Sequence, residues 1–369
     1  MSSLGATVHV LRFSSQPVSP GKSLRIDRMI EAAVKGLEPN VVRCDVSKMN
    51  GLKNKRIIVA IDADEIGGQK ELYDWLRRLS QDYQASGCPP LSGSTACVLV
   101  NSDGPYYTKR LAQYAIFHMN RFGCRFLGHP LVEAVADLQN FKTWKKVVDI
   151  PLEKLLEAKC SELGVRLRDF KVAGIKKPKI LVLHSSSHDT SNTLRLWSMV
   201  AEHLEGFEMK EHRIEDDKIA ECKGCSFKTC MHYSEMKSCY YGGMMVEQIL
   251  PAMEWADAVI WVCPNYNDAI SAKLMAVINR MTVLYRRITF YDKRLFGIIV
   301  SGNSGSDLVM TQLLGAVNIN KGYMLPPQFG FSAIANDPGS IEQATNIHKR
   351  AKAFADNIKA EFALDLVIL

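Results

Sequence analysis

Short apolar runs that alternate with helical stretches are the feature of this sequence that most restricts its fold. The runs Thr95 to Val100 and Lys179 to His184 are apolar along most of their length, which is typical of strands covered on both faces. A helical pattern fills the stretch between such runs. The best example is Gln69 to Leu79, whose apolar residues at helical spacing are Leu72, Trp75, Leu76 and Leu79. This order predicts an α/β fold with doubly wound parallel sheets.

The two halves of the chain resemble each other. Sliding the first half along the second sets RIIVAIDADEIGGQKELYDWLRRLS on AVIWVCPNYNDAISAKLMAVINRMT, and CVLVNSDGPYYTKRLAQ on GIIVSGNSGSDLVMTQL. The overlay brings together residues of the same type: Leu72 with Leu274, Arg78 with Arg280, and Gly123 near Gly322. We therefore predict an internal duplication, with two α/β domains in tandem.

The boundary between the domains is predicted from a change in pattern. Residues 128–170 interrupt the alternation with a charged, helical sequence, and residues 171–178 contain Gly174 and Pro178, as a linker would. We predict a first domain at 1–170 with a helical extension, a linker at 171–178, and a second domain at 179–369.

Composition excludes several classes of protein. The 369 residues are 47% hydrophobic and 23% charged, as in ordinary globular proteins. The net charge of +7 is spread along the chain without a basic stripe, so nucleic acid is not the expected partner. The N-terminus lacks the pattern of a signal peptide, and we find no apolar segment of roughly 20 residues that would span a membrane. We expect a cytoplasmic protein, in which the ten cysteines are thiols, metal ligands or redox groups.

Three polar loops follow apolar strands in the second half, at 185–193, 263–268 and 301–306. In an open parallel sheet, ligands bind beyond the carboxyl ends of the strands. The first loop is rich in hydroxyl groups and opens a helix, and a helix N-terminus favours a phosphate. The other two offer amides, one aromatic ring and glycines, which suit a planar ring. Together the three loops predict a mononucleotide site.

These loops resemble those of a known family, the flavodoxin-like NAD(P)H-dependent FMN reductases, which include the iron–sulfur flavoproteins. The first loop of that family commonly reads GSPRKGGNT, and this chain has SSSHDTSNT at 185–193. The second reads roughly SPVYFGSVSAQLKAFLDR, and this chain has CPNYNDAISAKLMAVINR at 263–280. The resemblance covers residues 178–335. It implies two tandem flavodoxin-like doubly wound parallel-sheet domains, of which the N-terminal one is degenerate.

The resemblance also implies a set of FMN contacts in this sequence. The phosphate would be held by Ser186, His188, Ser191, Asn192 and Thr193. The isoalloxazine would be lined by Pro264, Asn265, Tyr266 and Asn267, with Gly302 and Asn303 closing over the ring. His188 stands where the family usually has arginine, which removes a permanent positive charge. Tyr266 is the expected catalytic neighbour of the flavin, although hydride transfer mainly requires orientation.

Four cysteines form a compact group in the second half. They are Cys222, Cys225, Cys230 and Cys239, in the spacing C-x2-C-x4-C-x8-C. Iron–sulfur flavoproteins have a four-cysteine run in this part of the chain, but their third cysteine comes sooner and their fourth follows more closely. The alternatives are a [4Fe-4S] cluster, a zinc ion, and reduced thiols on a structured loop. Lys223, Lys228 and Lys237 are expected to offset the negative charge of a bound centre.

The expected function is that of an NAD(P)H-dependent FMN oxidoreductase. It would pass electrons through FMN to a small acceptor: a quinone, a flavin or an electrophilic organic compound. The alternative is an iron–sulfur flavoprotein that carries electrons between ferredoxin and FMN. Relatives are often dimers, so a homo-oligomer stays open.

Overall fold

The computed structural model describes residues 7–14, 24–37, 40–46, 49, 51–144, 148–186, 190–214 and 219–363. The chain divides into two compact units, Met1–Lys171 and Val172–Val367. Part of the predicted linker is bonded to the second unit, because Arg294 donates to the carbonyl of Ala173 at 2.9 Å and the N–H of Ile175 donates to Phe362 at 2.9 Å.

The first unit contains a five-stranded parallel sheet. Its strands are β1 (Val8–Phe13), β2 (Val41–Cys44), β3 (Arg56–Asp62), β4 (Thr95–Asn101) and β5 (Arg125–Ala134). They lie in the order β2-β1-β3-β4-β5, and every pair is parallel. This order is that of the flavodoxin-like fold.

Helices cover both faces of this sheet. They are α1 (Arg25–Val34), α2 (Lys70–Ser86), α3 (Thr108–Arg121) and α4 (Leu152–Asp169). The predicted apolar face of α2 is buried, and the helix begins where the Gln69 side chain accepts hydrogen bonds from the N–H groups of Glu71 and Leu72. It ends at Gly87, whose φ of 67° suits a residue without a Cβ.

The stretch at 128–170 differs from the helical extension that we predicted. Strand β5 runs through it as far as Ala134, and the register of β5 against β4 shifts between Ala96 and Val98. Helix α4 then packs into the same hydrophobic cluster as α1. At Gly164 a Cβ atom would lie only 1.8 Å from the carbonyl oxygen of Ala33, so the two helices approach closely there. Helix α4 is therefore part of the layer that covers the sheet.

The second unit repeats the same topology. Its strands are β6 (Lys179–His184), β7 (Glu208–Arg213), β8 (Ala258–Pro264), β9 (Arg294–Ser301) and β10 (Gly330–Ile334). Their order is β7-β6-β8-β9-β10, again all parallel. The predicted fold class, two tandem flavodoxin-like sheets, is thereby confirmed.

The second unit has seven α-helices among its described residues. They are α5 (Asn192–Ala201), α6 (Phe227–Glu235), α7 (Leu250–Trp255), α8 (Ala272–Arg280), α9 (Thr282–Tyr285), α10 (Ser306–Leu313) and α11 (Ile347–Ala363). A core cluster joins one face of the sheet to α5 and α11, with Trp197 and Phe354 among its members.

Matching contacts in the two units support the duplication. Arg78 on α2 donates to the carbonyl of Val46 at 2.7 Å, and Arg280 on α8 donates to that of Gly242 at 2.8 Å. A second pair of matching hydrogen bonds lies at the end of α3 in the first unit and just after α10 in the second. There the amides of Asn120 and Asn318 donate to the carbonyls of Cys124 and Tyr323, and the nearby Gly123 and Gly322 have φ of 93° and 87°. Such paired details are more specific than a shared hydrophobic pattern.

Candidate functional site

The candidate site lies at the carboxyl ends of β6, β8 and β9. Strand β6 lies between β7 and β8 in the sheet. The chain passes from β6 to β7 on one side and later to β8 on the other side, so the strand order reverses at β6, and the loop after β6 lies at this switch point. In open α/β sheets this crevice is where ligands bind. The three loops singled out in the sequence all start from these strand ends.

The first loop begins with two buried serines. The Oγ atoms of Ser185 and Ser271 are 2.8 Å apart, which ties this loop to the start of α8. Ser186 is 6% exposed, and its Oγ is buried without a hydrogen-bond partner in the described part of the chain. A buried hydroxyl left unpaired is unfavourable, so a ligand atom at this position would be stabilising. His188 lies outside the described residues, and its predicted contact stays a prediction.

Helix α5 begins at this loop. Ser191 is its N-cap, and the Ser191 side chain accepts a hydrogen bond from the N–H of Leu194 at 3.3 Å. Thr193, in the first turn, is 4% exposed. The first turn of a helix presents unpaired N–H groups and the positive end of its dipole, which favour an anion.

Asn192 has partners that the sequence did not reveal. Its amide donates to the carbonyls of Ala335 and Asp337 at 3.3 and 2.8 Å, and its carbonyl accepts from the N–H of Ile341 at 3.3 Å. Both ends of the side chain thus hold the loop after β10. A phosphate contact from Asn192 can come only from its backbone N–H unless these bonds break.

The second loop is a tight hairpin turn. Tyr266 and Ala269 form an antiparallel bridge, and the two residues between them, Asn267 and Asp268, have φ of 52° and 58°. Two successive positive φ angles define a type I′ turn, for which Asn and Asp are favoured. The turn leaves the Tyr266 ring 58% exposed beside the strand ends.

Asn265 joins the second loop to the third. Its amide nitrogen lies within hydrogen-bond distance of Asp268 Oδ1, Ser301 Oγ and the carbonyl of Ser304, at 3.2, 3.0 and 3.0 Å. Its Oδ1 is buried without a partner among the described residues. Pro264 ends β8 beside it and is buried. Asn265 Oδ1 is thus an acceptor at this site that no described residue uses.

The third loop contains Gly305, a position that has no room for a side chain. Gly305 has φ of 82°, and a Cβ there would lie 1.8 Å from Asp268 Oδ1. Gly302 is also confined, because a Cβ would lie 2.9 Å from Asn336 Oδ1. The Asn303 side chain accepts from the N–H of Ser304 at 2.6 Å. The loop therefore comes close to the hairpin turn, with little room for side chains between them.

The buried His184, the last residue of β6, connects the start of the first loop to the neighbouring elements. His184 Nε2 is 3.2 Å from Glu211 Oε1, and Trp197 Nε1 donates to Glu211 Oε2 at 2.9 Å. The hydrogen bond from His184, followed by that from Trp197, lowers the pKa of Glu211. These contacts join β6, β7 and α5. Sequence reasoning missed them because β7 carries no motif.

At the matching end of the first unit, polar side chains bond to one another. Asp62, at the end of β3, accepts from Ser14 Oγ at 3.1 Å and from the amide of Asn101 at 2.7 Å, and Arg25 donates to Asn101 Oδ1 at 3.3 Å. A carboxylate at this switch point disfavours a phosphate, since two negative charges repel. This agrees with the predicted degeneration of the first unit.

Tyr107 shows a second difference between the units. It is the N-cap of α3 with φ of 77°, whereas the N-cap of α10 is Gly305 with φ of 82°. The backbone is thus similar, but in the first unit the Tyr107 side chain packs on Gly67, where a Cβ would lie 2.4 Å from it. In the second unit the same position is a glycine packed against Asp268, with no room for a side chain.

The four cysteines line one cavity of about 190 Å³. Cys222 and Cys225 precede α6, Cys230 lies on it, and Cys239 follows it. Asn279 and Arg280, at the end of α8, line the same cavity. The cavity is therefore at the opposite end of α8 from Ser271 and the first loop.

The cysteines do not form a site for a single metal ion. No group of three or more His, Cys, Asp or Glu residues in the described part of the chain could hold one. All ten cysteines are free thiols. Residues 222–225 do not form a turn in the structure, and among them Gly224 alone has a positive φ, of 65°. The metal ligand set is thus not confirmed.

Of the three lysines predicted near the cysteines, Lys223 lines the cavity, but its charge and that of Lys237 are each paired with a carboxylate. Lys223 pairs with Glu221 at 2.7 Å, and Lys237 pairs with Glu254. The positive charges close to the cavity also include Arg280, Arg286 and Lys321, which come from later parts of the chain. Burial lowers the pKa of Lys321, and Arg286 acts in the same sense, while Cys222 and Cys230 oppose it. Each of these three cations lies far from the cysteines in sequence.

The fold and the loops of the second unit define a flavodoxin-like domain. Residues 178–336 match the model of the NADPH-dependent FMN reductase family, which confirms the resemblance drawn from the loop motifs. A comparison with curated proteins gives no match. We found no helix in the described ranges that is both long and apolar enough to cross a membrane.

Solved structures with similarity to the chain include two reductases. NAD(P)H:quinone oxidoreductase from Methanothermobacter marburgensis is 15% identical over 50% of this chain and 96% of its own, with a TM-score of 0.40. An FMN-dependent NADH-azoreductase from Bacillus anthracis, in complex with FMN, is 13% identical over 49% of this chain and 99% of its own, with a TM-score of 0.34. The fold assignment rests on strand order and not on these likenesses.

Proposed function

We propose that the second unit binds FMN at the ends of β6, β8 and β9, and that the protein is an NAD(P)H-dependent FMN oxidoreductase. The observation that carries the proposal is Ser186. Its buried hydroxyl, which has no partner in the part of the chain that the structure describes, lies at the switch point of a flavodoxin-like sheet, beside the start of α5, in a segment that matches the FMN reductase family. Electrons would pass to a small acceptor: a quinone, a flavin or an electrophilic organic compound.

The phosphate would be held by hydroxyl and N–H groups at the start of α5. Ser186 Oγ has no partner among the described residues to give up, Ser191 is the N-cap of the helix, and Thr193 lies in its first turn. Because the side chain of Asn192 is already bonded, we assign it the role of holding the loop after β10 against this turn. His188 remains a predicted contact.

The isoalloxazine would lie between the second and third loops. Asn265 Oδ1 is a buried acceptor without a partner among the residues described, which suits the ring N3–H, and Gly302 and Asn303 would lie over the ring. Pro264 and Asn267 would line its edge. When bound, FMN accepts a hydride from a nicotinamide and passes the electrons on. The exposed ring of Tyr266 would orient the acceptor, and this is the sense in which we regard it as catalytic.

The test compares FMN with riboflavin, which lacks the phosphate. Ser186→Asp places a carboxylate at the phosphate position and should weaken FMN binding by at least about 1–2 kcal/mol, a factor of about 5–30. Riboflavin should bind the variant as well as it binds the unchanged protein. Ser198→Ala, on an exposed part of α5, is the control. Equal loss for both ligands in equilibrium dialysis would show that Ser186 does not face a phosphate.

One observation favours a second candidate, an iron–sulfur flavoprotein that exchanges electrons with ferredoxin. All four cysteines line one cavity, yet no three of them could hold a single ion. In a [4Fe-4S] cluster each thiolate binds a different iron, so the sulfurs stand around a space and not around one point. Iron and acid-labile sulfide, measured in protein prepared anaerobically with both supplied, test this candidate. Their absence would leave the four residues as thiols.

The remaining expectations stay predictions. Ten free thiols suit the reducing cytoplasm, which we keep as the predicted compartment. Ultracentrifugation tests whether the protein is a homo-oligomer. Steady-state kinetics with each nucleotide tests the choice between NADH and NADPH.

A further inference from the structure

The cysteine cavity has the size and lining of a binding site for a small organic molecule. Its volume is about 190 Å³, and besides the cysteines it is lined by the rings of Tyr233, Tyr240 and Tyr241. An apolar cavity of about 150 Å³ is large enough for benzene. The space therefore admits one aromatic ring with a small substituent, whereas a nucleotide would not fit within it.

The three tyrosines are arranged edge to face. The ring centres of Tyr233 and Tyr240 are 5.5 Å apart at an interplanar angle of 70°, and those of Tyr240 and Tyr241 are 5.2 Å apart at 89°. Tyr240 is 63% exposed although it belongs to the lining, so its ring has surface left for a ligand. Because aromatic rings favour edge-to-face and offset stacked contacts with one another, this part of the cavity suits a planar ring.

Arg280 adds a buried positive charge to the cavity. It is 2% exposed, and its Nη1 and Nη2 donate to the carbonyls of Ala220 and Gly242 at 3.3 and 2.8 Å. Its Nε is buried without a partner among the described residues. Carbonyls do not neutralise a guanidinium, and none of the lining residues, all of which lie in the described ranges, is Asp or Glu. Since a buried charge without a counter-charge is unfavourable, an anion in the cavity would be stabilising.

The other two cations of the lining are more exposed. Arg286 is half-buried, and its guanidinium lies over the ring of Phe227, 4.7 Å from the ring centre. Lys223 is exposed and pairs with Glu221 at 2.7 Å. Solvent and salt screen such charges. Arg280 is thus the single buried cation among the described residues of the lining, which matches a monoanion better than a dianion such as phosphate.

We propose that this cavity is a second binding site, apart from the flavin site, for a small aromatic monocarboxylate. The carboxylate would pair with Arg280, whose planar guanidinium matches its geometry, and the ring would pack among the tyrosines. The cavity lies at the end of α8 that is remote from Ser271 and the first loop, so binding there does not require FMN. One space cannot hold this ligand and an iron–sulfur cluster together, so the inference excludes the second candidate function.

Benzoate is the probe, and benzamide is its uncharged counterpart of the same shape. The full-length protein is assayed for iron and acid-labile sulfide and is then titrated with each compound by isothermal titration calorimetry. Benzoate should bind with a Kd of about 1 mM or tighter, and benzamide at least about tenfold more weakly, which corresponds to about 1.4 kcal/mol. The comparison needs no substitution, so a folding defect cannot mimic the result.

Alkylation of thiols locates the bound ligand. Cys222 and Cys225 are exposed and line the cavity, and the control is Cys88, which is exposed in the first unit. Benzoate at ten times its Kd occupies about nine-tenths of the sites, so it should slow the reaction of Cys222 and Cys225 with iodoacetamide by up to about tenfold. Cys88 should react at an unchanged rate. Mass spectrometry of the alkylated peptides measures both.

Two variants test the residues of the cavity. Arg280→Gln removes the buried charge and should abolish the preference for benzoate over benzamide, but it also releases the bonds to Ala220 and Gly242. Val283→Phe keeps the arginines and fills part of the cavity, since Val283 is buried in the lining, and it should weaken the binding of both compounds. Arg287→Gln, at the exposed residue after Arg286, is the matched control and should bind as the unchanged protein does.

Several results would overturn the inference. Iron and acid-labile sulfide in the purified protein would mean that the cavity has another occupant. Equal affinity for benzoate and benzamide, or no binding of benzoate, would show that Arg280 does not receive a carboxylate. Binding that leaves Cys222 and Cys225 unprotected, or that Val283→Phe does not weaken, would place the ligand elsewhere. None of these results bears on FMN, because the proposal for FMN rests on Ser186.

Discussion

Ser185 and Ser271 are joined by a hydrogen bond of 2.8 Å between their hydroxyl groups, and both are buried. The bond connects the loop after β6 to the residue that precedes α8. It therefore connects two of the three loops of the candidate flavin site at their bases. Neither serine had been assigned a role from the sequence.

Ser271→Ala should weaken FMN binding, although Ser271 is not among the proposed contacts of FMN. The substitution removes one buried hydrogen bond and leaves Ser185 Oγ unpaired, which is worth about 1 kcal/mol, or roughly a fivefold rise in Kd. Equilibrium dialysis measures the change, with the exposed Ser198→Ala as control. An unaltered Kd would mean that the bond does not position the first loop.

Asn192→Asp should destabilise the protein even without flavin. The amide donates to two carbonyls, and a carboxylate would replace these bonds with repulsion, at a cost of about 1–3 kcal/mol in the free energy of unfolding. Asn303→Asp is the control, because Asn303 uses only its oxygen, as an acceptor from Ser304. Urea denaturation of both flavin-free variants measures the difference. Equal stability would show that the loop after β10 is not held by Asn192.

Gly67→Ala should be much more harmful than Gly87→Ala. Both glycines have positive φ, 78° and 67°, so the two substitutions share a backbone penalty of about 1 kcal/mol. At Gly67 the new Cβ would also lie 2.4 Å from Tyr107, whereas at Gly87 it meets nothing within 4 Å. Thermal unfolding should place Gly67→Ala well below Gly87→Ala. Comparable melting temperatures would indicate that Tyr107 moves aside freely.

Glu211 should stabilise the second unit at neutral pH and lose this contribution in acid. The pKa of Glu211 is lowered from its ordinary 4.5 in the folded protein, so its contribution is complete above that value and is lost as pH falls through the lower folded pKa. Glu211→Gln should therefore flatten the fall in the free energy of unfolding below about pH 4.5. Glu208→Gln, at an exposed position of the same strand, is the control. Identical pH profiles for both variants and the unchanged protein would contradict the assignment.

Local patterns were sufficient to predict most of the fold. The buried strands and the apolar face at Leu72 to Leu79 are set by residues close together in sequence, and the structure has them as predicted. Strand β5 was missed because Gly128 and Pro130 interrupt it, which normally marks a loop. In the structure this stretch coincides with the shift in register against β4.

The site depended on contacts that a local pattern cannot reveal. Asn192 is bonded to residues beyond β10, and two arginines of the cysteine cavity, Arg280 and Arg286, come from the end of α8 and from just after α9. These partners are brought together by the topology of the sheet. The loop motifs predicted where a ligand would bind, but not which side chains were already occupied.

Helix α8 has the first flavin loop at one end and the cysteines at the other. Its nine residues span about 13 Å, whereas a hydride passes only between atoms about 3–3.5 Å apart. If the cysteines hold an iron–sulfur cluster, as in the second candidate function, electrons would therefore pass between the two ends one at a time. The flavin would then be the place where an electron pair is divided, and the length of one helix would decide which reactions each end of the domain can join.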